Sequence, residues 1–172
     1  FGSEVWGVEP MADAAAVARQ RLDRVFEGTL MAETGLPRAH FDVITFNDSL
    51  EHFPYPEPPL RLCQQLLAPG GVVVCSLPNV RYFENMKKLL IGMDWEYEKE
   101  GILDYTHLRF FTRKSMRRTF ESCGYQVAGT SVAGPGRISS RVTGRSSGSA
   151  CPGHARPACG PIWPGRAPPP AS

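Results

Sequence analysis

The segment Phe41–Phe53 reads FDVITFNDSLEHF and contains the strongest structural signal in this 172-residue chain. Its first part is mostly β-branched or aromatic, at Phe41, Val43, Ile44, Thr45 and Phe46. A short run of such residues predicts a strand that is buried on both faces. Polar and titratable residues follow directly, namely Asn47, Asp48, Ser49, Glu51 and His52. Because open α/β sheets bind ligands just past the carboxyl ends of their strands, we expect a functional site here.

The flanking sequence predicts an alternation of strands and helices. Further strands are predicted at residues 4–9, 25–30, 72–76 and 125–132, and helices at about 11–21, 60–68, 80–91 and 113–123. Thr112 is the predicted N-cap of the last helix, and Gly124 is its predicted end. Residues 92–101 are predicted to form a surface excursion over the crevice. This alternation is typical of an α/β domain.

Three segments follow one another along the chain: FDVITFNDSLEHF, then LAPGGVVVCSLPN at residues 67–79, then GILDYTHLRFFT at residues 101–112. Taken in this order, they resemble the second half of a class I S-adenosylmethionine-dependent methyltransferase. The third is similar to a segment of a bacterial group of these enzymes that share THLRFFT. The resemblance covers roughly residues 5–132. It implies a Rossmann-like three-layer α/β/α sandwich with a mostly parallel sheet, and S-adenosyl-L-methionine as the cofactor.

The family that the chain resembles has a first strand followed by a Gly-rich turn, and neither is present here. In that family the first strand lies at the centre of the sheet, between the second and the fourth. We therefore expect an N-terminally truncated domain in which residues 5–9 and 41–47 each lack a neighbouring strand. Unpaired buried backbone groups cost about 1–3 kcal/mol each. The 172-residue chain by itself is thus expected to be poorly stable and not to turn over.

Six residues are predicted to bind the cofactor: Glu9, Met11, Thr29, Leu30, Asn47 and Asp48. An acidic side chain at a strand end accepts hydrogen bonds from ribose hydroxyls in nucleotide-binding folds, and the resemblance gives this role to Glu9. It also implies that Met11 packs on the adenine, with Thr29 and Leu30 lining the same pocket. The alternative for Glu9 is a solvated carboxylate at the end of a strand.

Two histidines, His52 and His107, are the predicted catalytic residues. Methyl transfer to a hydroxyl requires removal of a proton, and an imidazole is a suitable base near neutral pH. The alternative is that each histidine makes a structural hydrogen bond to the backbone. Predicted contacts to the acceptor are Asn79, Tyr105 and Arg109.

A metal site is a further alternative at the same place. Asp48, Glu51 and His52 form the pattern D-x-x-E-H, and the resemblance to ubiquinone-pathway O-methyltransferases implies that such a cluster binds a divalent metal. At helical spacing the three side chains share one face, and their donor atoms suit Mg²⁺ or Zn²⁺. Our prediction from the sequence is a site without a resident metal.

Composition bounds the class of protein. No acidic residue follows Glu121, and five arginines lie beyond residue 134, which leaves 14 basic against 17 acidic residues before it. This slightly acidic body argues against a nucleic-acid binder.

Residues 134–172 are rich in Gly, Pro, Ser and Arg and are predicted to be disordered. Cys63, Cys75 and Cys123 are predicted to be reduced core residues in a cytoplasmic protein without a membrane span.

The function predicted from the sequence is S-adenosylmethionine-dependent methyl transfer, to the oxygen of a glycan, a lipid or a small metabolite. One alternative is a nicotinamide-dependent Rossmann oxidoreductase, since an acidic strand end also suits the ribose of NAD. The other is a non-catalytic remnant that acts as an interaction module. The sequence leaves the acceptor and the oligomeric state open.

Overall fold

The structure of the chain is a computed structural model that describes residues 2–144, apart from the side chain of Glu33. The strands are β1 (Trp6–Glu9), β2 (Arg24–Glu27), β3 (Phe41–Asn47), β4 (Leu67–Pro78), β5 (Tyr125–Gly134) and β6 (Arg137–Gly144). The α-helices are α1 (Ala12–Ala18), α2 (Glu57–Leu66), α3 (Phe83–Lys87) and α4 (Arg113–Ser122). Short 3₁₀ turns lie at Ala32–Thr34 and Leu50–His52, and a π-helical turn lies at Lys88–Gly92.

The described strands form two sheets. β1 pairs with β2 in parallel, and the other four strands pair in the order β3–β4–β6–β5. β3 and β4 are parallel, whereas β6 is antiparallel to both of its neighbours. The predicted α/β class is therefore confirmed, but the larger sheet is mixed and not mostly parallel. β5 and β6 form a hairpin, which makes this pair antiparallel, and β6 also pairs with β4 in the antiparallel direction.

Between β1 and β3 the sheet is interrupted. No ladder of hydrogen bonds joins these two strands within residues 2–144. The interruption falls where the resemblance places a further strand of the family. The two sheets nevertheless touch where β1 and β3 begin, because the ring of Trp6 meets the ring of Phe41 edge-on at a centroid distance of 5.2 Å.

The main core lies between one face of the larger sheet and helices α2 and α4. Leu60 and Cys63 of α2, together with Met116 and Phe120 of α4, are completely buried there. The hydroxyl of the buried Tyr125 donates to the carbonyl oxygen of Leu60 at 2.7 Å. That bond satisfies the polar end of a ring whose burial stabilises the core. The core thus fixes the sheet edge from which the site residues emerge.

The prediction that β3 is buried on both faces is wrong. Ile44 and Phe46 face the core, but Val43 on the other face is 52% exposed. Within residues 2–144 no strand pairs with the second edge of β3. β3 is therefore an edge strand of the larger sheet, whereas a strand buried on both faces would be expected at the centre of a sheet.

The prediction of disorder from residue 134 onward is corrected for residues 137–144. These residues form β6, which pairs with β4 on one side and with β5 on the other. Ile138, Ser140 and Val142 alternate inward and are almost completely buried. The alternation was hard to detect because one of its three inward residues is a serine. The remaining part of the predicted disordered tail, residues 145–172, lies outside the described residues.

The third helix also differs from its prediction. The apolar spacing predicted one helix over about residues 80–91 with an inward stripe. The structure has the five-residue α3 followed by the π-helical turn, and the side chains of Phe83 and Leu90 are 71% and 70% exposed. The stripe is therefore a surface feature.

Cys63, Cys75 and Cys123 are free and buried, as predicted. Among the described residues, none of the helices is long and apolar enough to cross a bilayer.

Helix α4 begins and ends as its sequence predicts. The side chain of Thr112 accepts a hydrogen bond from the backbone N–H of Ser115 at 3.1 Å, and Ser115 reaches back to the N–H of Thr112 at 2.8 Å. Gly124 follows the helix with φ +89°, a conformation that favours glycine.

Replacing Thr112 with alanine is expected to lower the free energy of unfolding by about 1 kcal/mol, because the first turn of α4 loses its cap. Urea denaturation followed by circular dichroism measures this. Lys114→Ala, at an exposed position of the same helix, is the matched control and should change the value by less than about 0.5 kcal/mol. Equal effects of the two substitutions would contradict the assigned capping role.

Candidate functional site

Two segments that are distant in sequence meet at the carboxyl end of β3. The carbonyl oxygen of Glu51 accepts hydrogen bonds from the backbone N–H groups of Leu108 and Arg109, at 2.9 Å and 3.0 Å. The guanidinium of Arg109 donates to the carbonyl oxygen of Pro54 through Nε at 2.7 Å and also through Nη2. The THLRFFT segment is therefore tied to the turn that follows β3.

This contact brings together three titratable side chains: Glu51, His52 and His107. Ligand-capable atoms of the three lie within 4.8 Å of one another. His107 Nε2 is 3.9 Å from Glu51 Oε1, and the centroids of the two imidazole rings are 4.9 Å apart. Glu51 is completely buried and His107 nearly so, whereas His52 is exposed. We call these three residues the Glu51 cluster, and its open side is the side of His52.

The carboxylate of Glu51 is the unusual member of the cluster. Both of its oxygens are buried, and neither has a hydrogen-bond partner among residues 2–144. Burial raises the pKa of Glu51 from 4.5 to about 7, and the negative charge of Asp48 adds to the increase. A buried carboxylate without a partner is costly to ionise. Binding of a proton or of a cation would therefore neutralise the charge of the Glu51 carboxylate.

Asp48 is held in a different way. Its φ of +45° lies in the left-handed region, which aspartate tolerates better than most residues. Its backbone N–H donates to the carbonyl oxygen of Ser76 on β4 at 3.0 Å. Its Oδ2 pairs with Nη1 of Arg137 on β6 at 2.8 Å, whereas the buried Oδ1 has no partner among the described residues. Asp48 thus joins three strands and offers one free acceptor.

The residues predicted to bind the cofactor fall on both sheets. Glu9 ends β1, and its Oε1 accepts a hydrogen bond from the backbone N–H of Met11 at 3.0 Å. The side chain of Met11 is 66% exposed. Thr29 and Leu30 lie just past β2, where Thr29 is exposed and Leu30 packs against the core. A carboxylate beside an accessible apolar side chain can receive a ribose and a nucleobase.

Asn47 and Asp48 continue the predicted set at the end of β3, where Asn47 is exposed. Their strand is separated from β1 by the interruption in the sheet. That the two strand ends face one nucleoside therefore stays a prediction.

The predicted acceptor contacts have different environments. Asn79 Oδ1 accepts a hydrogen bond from the backbone N–H of Arg81 at 3.2 Å, so this side chain shapes a turn. The guanidinium of Arg109 donates hydrogen bonds to the carbonyl oxygen of Pro54 and lies 5.7 Å from the centre of the Tyr55 ring. Tyr105 is 68% exposed and free to meet a ligand. Their roles toward an acceptor stay predictions.

Three aromatic side chains, Trp95, Tyr97 and Phe110, lie beside the Glu51 cluster, and we call them the aromatic group. The ring of Phe110 lies 6.5 Å from His107, 5.1 Å from Trp95 and 6.3 Å from Tyr97, measured between centroids. The sequence did not single out Phe110, and it predicted that Trp95 and Tyr97 lie in the surface excursion of residues 92–101. Its neighbour Phe111 is a core residue. The alternation of side chains in an extended segment is the signal that would have separated the two phenylalanines.

Comparisons with known proteins identify the family. A family model described as a methyltransferase domain matches residues 1–129. The chain is 29% identical to a ubiquinone biosynthesis O-methyltransferase from an Azoarcus species, over 76% of this chain and 58% of that protein. It is 27% identical to the protein of the same name from Cereibacter sphaeroides, over 55% and 40% of the two chains. The chain thus spans well under two thirds of the length of these relatives.

Solved structures share the fold at low sequence identity. A methyltransferase from Thermotoga maritima superposes with a TM-score of 0.64 at 21% identity, covering 81% of this chain and 72% of that one. One from Archaeoglobus fulgidus gives a TM-score of 0.59 at 13% identity, covering 80% and 74%. Both are described as dependent on S-adenosylmethionine, and their likeness confirms the Rossmann-like fold. The match over residues 1–129 shows that the chain belongs to the methyltransferase-domain family, whose implied cofactor is S-adenosyl-L-methionine.

Proposed function

We propose that the protein containing this chain is an S-adenosylmethionine-dependent O-methyltransferase. The observation that supports this best is the Glu51 cluster at the carboxyl end of β3, in a chain of the methyltransferase-domain family. S-adenosyl-L-methionine supplies an electrophilic methyl carbon when it is bound. The protein then has to align an acceptor oxygen with that carbon and help to remove its proton.

Glu9 and Met11 are assigned to the nucleoside of the cofactor. Glu9 Oε1 is engaged by the N–H of Met11, which fixes the carboxylate at the end of β1. Its second oxygen is available to a ribose hydroxyl, since the structure gives it no partner among the described residues. The exposed side chain of Met11 offers an apolar surface beside it.

Glu9→Gln is expected to weaken the binding of S-adenosylhomocysteine about tenfold, because a charge-assisted hydrogen bond is replaced by a neutral one. Isothermal titration calorimetry measures this. Glu27→Gln is the matched control, because Glu27 ends the neighbouring strand and makes a surface ion pair with Arg19. Such a pair contributes little, so affinity should change by less than about twofold. A Glu9 variant with unchanged affinity would refute the assignment.

Activation of the acceptor hydroxyl is assigned to the Glu51 cluster. His52 Nδ1 lies 3.2 Å from the carbonyl oxygen of Thr106, and His107 Nδ1 lies 3.0 Å from that of Ile102. A carbonyl oxygen only accepts hydrogen bonds, so each Nδ1 carries a hydrogen, and in the neutral form of each ring Nε2 then has the lone pair. Two basic nitrogens thus belong to one small cluster with an exposed side. The hydroxyl of an acceptor reaches them from the side of His52.

The aromatic group supports an acceptor whose hydroxyl is on an aromatic ring. Rings of this kind stack on, or meet edge-on, the side chains of Trp95, Tyr97 and Phe110. The names of the relatives point to the same reaction, O-methylation in ubiquinone biosynthesis. The comparisons give no support to a glycan or lipid acceptor, an oxidoreductase or an interaction module.

Transfer of a labelled methyl group tests the proposal. The product of the complete reading frame that contains this chain is incubated with methyl-labelled S-adenosylmethionine and a simple catechol, and separately with the amine that replaces one hydroxyl by an amino group. We expect label on oxygen of the catechol. Label that appears only on the nitrogen of the amine, or on neither compound, would contradict the proposed reaction.

A further inference from the structure

The contact between Arg137 and Asp48 joins the start of β6 to the turn that follows β3. Arg137 Nη1 lies 2.8 Å from Asp48 Oδ2. The match to the methyltransferase-domain family ends at residue 129, so Arg137 lies beyond the segment that the family model covers. A role for Arg137 therefore has to follow from its contacts in the structure.

The backbone that carries Arg137 is fixed on two sides. Arg137 is paired with Pro78 of β4 at the end of the β4–β6 ladder. Gly136, just before it, has φ +72°, and its carbonyl oxygen accepts a hydrogen bond from the backbone N–H of Asn79 at 2.7 Å. A Cβ atom at Gly136 would lie only 2.9 Å from Cδ1 of Ile102, so the β5–β6 turn is closely packed at this point. The guanidinium therefore reaches Asp48 from a well-defined position.

The conformation of Asp48 depends on this contact. Its φ of +45° is uncommon for a residue other than glycine, and its backbone N–H is held by the carbonyl oxygen of Ser76 at 3.0 Å. Oδ1 is buried without a partner among residues 2–144, so the carboxylate relies on Arg137 for compensation of its charge. Without Arg137 the charge would be uncompensated, which is costly for a buried group. The side chain is 29% exposed, so the carboxylate can relieve that cost by turning toward solvent.

A displaced Asp48 would change the site more than the stability of the fold. Asp48 directs the chain into the turn Leu50–His52, which carries Glu51 and His52. The side chain of Arg137 is 54% exposed, and ion pairs that are open to solvent contribute little to the free energy of unfolding. The main consequence of losing the pair is therefore a changed arrangement of the residues that follow β3.

We propose that Arg137 is a positioning residue of the cofactor site, which holds residues 47–49 in the conformation that binds S-adenosyl-L-methionine. Arg137 acts through the carboxylate of Asp48 and does not itself touch the cofactor. The inference deepens the proposed function and rests on it for the identity of the ligand. A guanidinium suits this task because its N–H groups form a rigid fork that matches a carboxylate.

A double-mutant cycle on the affinity for S-adenosylhomocysteine tests this inference. Calorimetry is performed on the product of the complete reading frame, on Arg137→Gln, on Asp48→Asn and on the double variant. Each single substitution is expected to weaken binding about tenfold, because each removes the same charge-assisted contact. The double variant should bind within about threefold of either single variant, since residues that act through one contact are not additive. Additive losses, about 100-fold in the double variant, would overturn the inference.

Three further variants separate positioning from a general effect of charge or folding. Arg137→Lys retains the positive charge and should restore the affinity to within about threefold of the unaltered protein. Arg137→Met removes the charge but keeps the aliphatic stem, so it should behave as Arg137→Gln does and repeats the test with a second substitution. Arg141→Gln is the matched control, because Arg141 lies on the same face of β6 and is exposed. It should change the affinity by less than about twofold.

Thermal melts of all variants are expected to change little, and they show that each variant is folded. Unchanged affinity in folded Arg137→Gln and Arg137→Met, or an equal loss in Arg141→Gln, would refute the positioning role and leave the proposed function intact. Absence of S-adenosylhomocysteine binding by the unaltered protein would refute the proposed function, and this inference with it.

Discussion

Replacing His107 with alanine is expected to lower kcat/KM for methyl transfer by at least about 100-fold, the usual contribution of a group that assists proton transfer. The substitution removes one of the two Nε2 lone pairs of the Glu51 cluster and leaves Glu51 without its nearest basic neighbour. The carbonyl oxygen of Ile102 loses a donor, but accepting oxygens tolerate this better than buried donors do. Labelled S-adenosylmethionine and the product of the complete reading frame provide the assay.

Two further variants separate a functional role of His107 from a structural one. His107→Gln retains an N–H donor for Ile102 but lacks the imidazole lone pair, so it should keep the thermal stability and still lose activity. His40→Ala removes an exposed histidine just before β3 and should leave kcat/KM within about threefold. The assignment fails if His107→Gln is as active as the unaltered protein.

Glu51→Gln is expected to make the chain more stable at alkaline pH, by about 3 kcal/mol at pH 8. Burial raises the pKa of Glu51 from 4.5 to about 7 in the folded state. The folded chain therefore holds this proton more tightly than the unfolded chain does. The contribution of Glu51 to stability is complete below pH 4.5 and is lost as the pH rises through about 7. A neutral glutamine has no such dependence.

The measurement is the free energy of urea unfolding from pH 4 to pH 8, with a chelator present so that no cation occupies the cluster. The curves of the unaltered chain and of Glu51→Gln should meet near pH 4 and diverge above it. Lys114→Gln serves as a control for a substitution at an exposed site. Parallel curves across the whole range would show that Glu51 is not a buried, partnerless carboxylate in solution.

The elements that the sequence predicted well are those defined by local signals. The bounds of β3 follow from a compact apolar run that ends at Asn47, and those of α4 from the Thr112 cap and from Gly124. Reduced cysteines at 63, 75 and 123 follow from their place on apolar faces. In each case the residues that determine the structure lie within a few positions of one another, so a single sequence contains the information.

The features that were not predicted depend on contacts between distant segments. β6 pairs with β4 on one side and with β5 on the other, although its own sequence is polar. The exposure of Val43 depends on whether another strand pairs with the second edge of β3. The sequence of β3 alone does not show this. Asp48 was predicted as a cofactor contact, but its pairing with Arg137 required the strand that had been predicted as disordered. Likewise, the proximity of His107 to Glu51 depends on how the THLRFFT segment folds back.

We propose that this chain contributes a nucleoside site for a sulfonium methyl donor. The most direct measurement compares the binding of S-adenosylhomocysteine and of NADH to the product of the complete reading frame, by calorimetry under the same conditions. We predict saturable binding of S-adenosylhomocysteine that Glu9→Gln weakens, and no binding of NADH. Saturable binding of NADH, together with no detectable binding of S-adenosylhomocysteine, would contradict this assignment of the nucleoside site.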